Sequence, residues 1–272
     1  MQLPNTDSRQ TTSPVPLVGG WLILARFAWL LVAIISMSAL FLFLTYAWNH
    51  LLHIGDWRRA ALFMIGYMTD TFYAGYYLVL IVVFALTNIG VGVFIFWRRS
   101  DDRLALLISL MLVTFGVSGA SAVHFATLND GLRANAAFAV PLMLCAIMGN
   151  VLFFTAFYIF PDGRFMPRWT RWVTVAIVVY IISAMQPEGS LLHLNTLSPF
   201  LNMALPFVFF GVSVYAQVHR FRRVSTPSQR QQTKWLVYGL LFSSTLIFVV
   251  SYLLPALVPV LRPPNVPAVA LG

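Results

Sequence analysis

Long apolar runs alternate with short polar connectors along almost the whole chain. The runs lie near 27–48, 72–97, 104–126, 136–160, 172–186, 199–218 and 235–255. A helix that crosses a hydrocarbon layer of about 30 Å needs about 20 such residues. The pattern therefore predicts an all-α fold, an integral membrane bundle of about seven transmembrane helices. These helices form one membrane domain over residues 17–260. A polar, proline-bearing tail (1–16) precedes it and a short Pro-rich segment (261–272) follows. The tail has no basic stretch and no small-residue cleavage site near the first run, so no removable signal peptide is expected. The fifth run is the weak one. Its 14 uncharged residues, Trp172 to Met185, cover only about 21 Å as a helix.

Composition agrees with the pattern. Of the 272 residues, 60% are hydrophobic and 9% charged, against about 25% charged in an ordinary soluble domain. The mean hydropathy is +0.82. A soluble single domain lacks the charge to cover its outside, and a disordered chain would need low hydrophobicity. A lone cysteine, Cys145, excludes a disulfide framework. The net charge of +9 would suggest nucleic acid in a soluble protein. Here the arginines sit between apolar runs, so the expected partner is a bilayer with anionic headgroups, and no nucleic acid.

Charge also predicts orientation. Segments 98–103, 161–171 and 219–234 hold eleven of the 17 basic residues, whereas the alternate connections and the C-terminal segment hold four. Seven crossings place all three rich segments on one side, and the positive-inside rule makes that side cytoplasmic. The chain is thus expected in the cell membrane, N-terminus cytoplasmic and C-terminus external, with span 172–186 as a genuine crossing.

Two of the cytoplasmic segments carry the most specific residues. In the first, Phe160-Pro161-Asp162-Gly163-Arg164 is turn chemistry: Pro restricts φ, Asp bonds local backbone, and Gly supplies positive φ. Arg164, Arg168 and Arg171 follow at a spacing that lets side chains share a helix face, although Pro167 limits any regular helix. In the second, Arg222 and Arg223 lead into Thr226-Pro227-Ser228-Gln229, a capping box with Pro at the first helical position. Arg230 and Lys234 stand four apart on the helix expected there, which should continue unbroken into the seventh run.

Together these segments, FPDGRF-x-PRWTR and RFRRVSTPSQRQQTKWLVYG, resemble the N-terminal membrane region of bacterial sensor histidine kinases of the pheromone-responsive type. The resemblance covers nearly the whole chain and is specific at the two loops. It implies a sensor or input module that passes an external or membrane signal to a cytoplasmic or membrane kinase partner, with a homodimer as a further possibility. In that family a phospho-accepting His helix and an ATP-binding domain follow the spans. This chain has no Asn/Gly-rich nucleotide boxes, and His219 abuts a span instead of opening a helical hairpin. The expectation is therefore a non-catalytic module: a truncated, split or stand-alone sensor, and not an enzyme.

The search for other chemistry supports that expectation. All eight acidic residues fall in predicted loops or the tail, so intramembrane aspartyl, proton-relay and H-E-x-x-H chemistries lack their groups. No cofactor or metal is expected. On the external side, His50 and His53 with Tyr73, Tyr76 and Tyr77 mark a candidate ligand mouth, although an aromatic belt explains the tyrosines as well. Asn88, Asn150, Ser243 and Ser244 lie at a similar depth and form a candidate intramembrane polar layer, with partners expected on neighbouring helices. The runner-up function is a small transporter or channel subunit, which the absence of an internal repeat disfavours.

Overall fold

The computed structural model describes residues 18–52, 70–125, 136–161, 163–184, 199–223 and 238–239. Among these the chain is all-helical, with six helices: α1 (Gly20–Leu52), α2 (Asp70–Arg99), α3 (Arg103–Phe125), α4 (Ala136–Ile159), α5 (Thr170–Ala184) and α6 (Pro199–Arg223). They match the first six apolar runs. The seventh expected span lies outside the described residues, apart from Tyr238 and Gly239, which are helical.

Among the described residues three stretches are long and apolar enough to cross a bilayer: Gly20–Thr45, Ala74–Arg99 and Val140–Ile159. Arg103–Gly119 and Thr170–Ala184 are shorter apolar helices. The helices differ from the expected spans mainly at their polar ends. α1 begins at Gly20, ahead of the expected start at 27, because Arg26 does not break it. The Arg26 Nε donates to Ser100 Oγ at 3.0 Å, which gives the charge a place at the bundle end. α6 runs on to Arg223, so Arg220 to Arg223 belong to a helix and not to a loop.

Local chemistry explains the α2–α3 hairpin. Asp102 caps α3, its Oδ1 accepting from the backbone N–H of Leu104 at 2.8 Å and Ala105 at 3.4 Å. Arg98 and Arg99 occupy the last turn of α2, where cations complement the helix dipole. The helices then approach closely. Ser109 Oγ donates to the Gly92 carbonyl at 2.6 Å, and a Cβ on Gly116 would meet the Asn88 Cβ at 2.9 Å. Small residues permit this contact between backbones, the usual means of helix association where no water drives burial.

Among the described residues two apolar cores result. One joins α1 to α4 around Phe43, Ala85, Val117, Leu142 and Cys145, with a Ser36 to Cys145 contact of 3.4 Å. The other joins α4 to α6 around Phe154, Tyr158, Ile177 and Phe209. Pairings such as Trp29 stacked on Phe96 (3.8 Å) and Phe115 on Phe153 (4.7 Å) fix how the helices alternate in direction. As a result Arg26, the 98–103 connection, the turn after α4 and the end of α6 all gather at one end of the bundle. Outward faces are apolar, with Phe27, Leu31, Ile34, Val83 and Phe94 all exposed.

Candidate functional site: the turn after α4 and its clamp

A helix leaves its last four carbonyls without intrahelical donors. At the end of α4 each of these acceptors is met. Phe160 N–H donates to Ala156 O and Gly163 N–H to Ile159 O, both at 2.8 Å. Gly163 does so at φ +74°, the left-handed conformation that favours glycine. The remaining acceptors are met from another helix. Gln217 Nε2 of α6 donates to Phe157 O and, at 3.3 Å, to Phe160 O. Arg220 donates to Phe160 O through Nη1 and to Tyr158 O (3.4 Å) and Arg164 O through Nη2.

Both side chains are buried, Gln217 at 1% and Arg220 at 2% exposure. They continue a buried face of α6 formed by Phe209, Ser213, Ala216, Gln217 and Arg220. Polar residues at 213, 217 and 220 follow helical spacing, so all three can face α4. One level deeper, Phe209 O accepts from Tyr158 OH at 3.3 Å and from Ser213 Oγ at 2.9 Å. A guanidinium suits this position because its planar fork meets several carbonyls at once. It also places positive charge at the negative end of the α4 dipole.

The rest of the turn is held locally. Thr170 begins α5, its N–H and Oγ1 both bonding Pro167 O, at 3.1 and 2.8 Å. Arg164, Arg168 and Arg171 are exposed. They do not share a helix face: Arg164 and Arg168 precede α5, which starts only after Pro167, and Arg171 lies in its first turn. Arg171 sits 5.4 Å over the Trp172 ring, and Arg98 sits 5.7 Å from the Phe94 ring. Trp21, Trp97, Trp169 and Trp172 are exposed at this same end, the pairing of Trp and Arg found at headgroup depth.

The polar layer is arranged otherwise than expected. Asn88 Nδ2 donates to Phe84 O at 2.9 Å and Asn150 Nδ2 to Ala146 O at 2.8 Å, each within its own helix. The carbonyl four residues back has a free lone pair, which takes one amide N–H within the same helix. Ser243 and Ser244 lie outside the described residues, as do Asp162, Thr226, Pro227, Gln229, Arg230, Lys234 and His53. Arg223 lies in α6, His50 in α1 and Tyr73 and Tyr77 in α2, with side chains outside the described set; Tyr76 is exposed on α2. Among the described residues no group of three His, Cys, Asp or Glu is placed to hold a metal ion.

The decisive pair, Gln217 and Arg220, escapes a reading that assigns every arginine near a span end to lipid. The available signal is the i, i+4, i+7 series Ser213, Gln217, Arg220 in an otherwise apolar helix. Compared with family models, curated proteins and solved structures, the chain gives no match.

Proposed function

We propose that this chain is a multi-pass membrane sensor or input module, without catalysis of its own, that passes an external or membrane signal to a cytoplasmic kinase. In this reading it has seven crossings, with the arginine-rich connectors and the N-terminus inside. The observation that carries the proposal is the joint between the two segments singled out by the sequence. Arg220, in the last turn of α6 where the second begins, holds the carbonyls of Phe160 and Arg164 in the first. A displacement of α4 or of the turn after it is thereby felt by α6. The gathering of exposed Trp and Arg residues at one bundle end supports contact with anionic headgroups on that side.

The test compares bacterial cells with and without the full chain. Phosphorylation of each response regulator is followed on phosphate-affinity gels. A change in at least one regulator is expected. Unaltered regulators, together with solute flux through proteoliposomes carrying the chain, would replace this reading with a small transporter or channel subunit.

A further inference from the structure

The clamp has properties that a permanent structural cap does not need. Its acceptors come from two places, the last turn of α4 and, at Arg164, the turn beyond it. A rigid-body shift of α6 would therefore break all of these bonds together. Its donors lie within two turns of the end of α6 at Arg223, and Arg220 is within one turn, near the exposed Arg222. An arginine so placed has a second favourable environment within reach, because its long stem lets the head snorkel to lipid phosphates. The clamped arrangement is also imperfect. Gln217 Oε1 is buried with no hydrogen-bond partner among the described residues, an unmet acceptor that disfavours the closed form.

We infer that Gln217 and Arg220 form a releasable latch. In the closed state described here, α6 supplies the donors that complete the α4 terminus and pins the 160–164 turn. In the open state, α6 has moved along or about its axis, and the guanidinium pairs with headgroup phosphates at the bundle end. Packed helices switch between discrete arrangements, so the latch gives two positions of α6 and no continuum. This deepens the sensor reading by naming the element that moves.

Pulsed dipolar spectroscopy on the full chain in phosphatidylglycerol-containing nanodiscs tests it. Spin labels go on Arg168→Cys and Arg222→Cys, both exposed positions, in a Cys145→Ala background. With Arg220 intact one dominant distance is expected. Arg220→Gln should add a second population displaced by about 5 Å, one helical turn. Arg220→Lys should give a smaller second population, because an ammonium can still meet part of the carbonyl set. An unchanged single distance in both variants would overturn the latch. If Arg220→Gln fails to accumulate, Gln217→Leu is read the same way: a minor second population supports the latch and a single unaltered distance overturns it. The readout is a distance inside the chain, so its failure is distinguishable from a failure of the signalling test.

Discussion

A Cβ built on Gly149 lies 2.6 Å from Ser118 Oγ and 2.8 Å from the backbone nitrogen of Phe115. Helices α3 and α4 therefore meet at this point with only the small Ser118 side chain and the Phe115 backbone against Gly149. Gly149→Ala should destabilise the protein by about 1–3 kcal/mol, the usual cost of overpacking a tight contact. Adding Ser118→Gly should recover only part of the loss, because the Phe115 backbone remains in the way. Thermal unfolding in detergent checks both variants.

Gly163 presents a different cost. Nothing lies within 4 Å of a Cβ placed there, yet its φ is +74°. Gly163→Ala should lose about 1–2 kcal/mol from left-handed backbone strain alone. Gly163→Asn should lose less, since asparagine tolerates that conformation. Equal stability of Gly163→Ala and the parent chain in the same unfolding assay would contradict this account of the turn.

Gln217 faces carbonyl oxygens with its amide nitrogen. Gln217→Leu should cost about 1–3 kcal/mol by leaving a buried acceptor unmet. The drop in melting temperature of Gln217→Leu below the parent chain is the measurement.

Topology is open to cysteine labelling. Cys145 is buried, so a Cys145→Ala background is a small change. Ser190→Cys, Ser225→Cys and Asn265→Cys should react with a membrane-impermeant reagent in intact cells in the order yes, no, yes. Protection of position 190 together with labelling at 225 would reverse the proposed orientation.

The exposed arginines predict a lipid dependence. Thermal stability in nanodiscs should rise as phosphatidylglycerol replaces phosphatidylcholine, and the gain should shrink in high salt. An Arg168→Gln/Arg171→Gln double variant should lose part of that gain while unfolding normally in neutral lipid. An identical lipid response in the two proteins would argue against headgroup contact at this turn.

Much of the architecture was legible because long apolar helices are written in long stretches of one residue class. Hydropathy located α1 to α6, and Gly163 sits at the turn that its backbone freedom predicts, whereas the caps at Asp102 and Thr170 emerged only in the fold. The extra length of α1 and α6 was harder to read. Arg26 and Arg220 look like terminators in a hydropathy profile, yet each lies inside a helix because it finds acceptors, Ser100 Oγ for one and backbone carbonyls for the other. Whether an arginine ends a helix depends on partners far along the chain, 74 residues away for Arg26.

The amino-acid order alone determined that apolar helices make up the described residues and that the positive charge concentrates around alternate junctions between apolar runs, since both follow from local composition. Only the packed fold decided which polar groups face one another. Asn88 and Asn150 turned back onto their own helices, whereas Gln217 and Arg220 reached across to the end of α4. The physical reason is that an orphaned carbonyl at a helix end, shielded from water, takes the nearest donor in space, and nearness in space is set by how α4 and α6 cross.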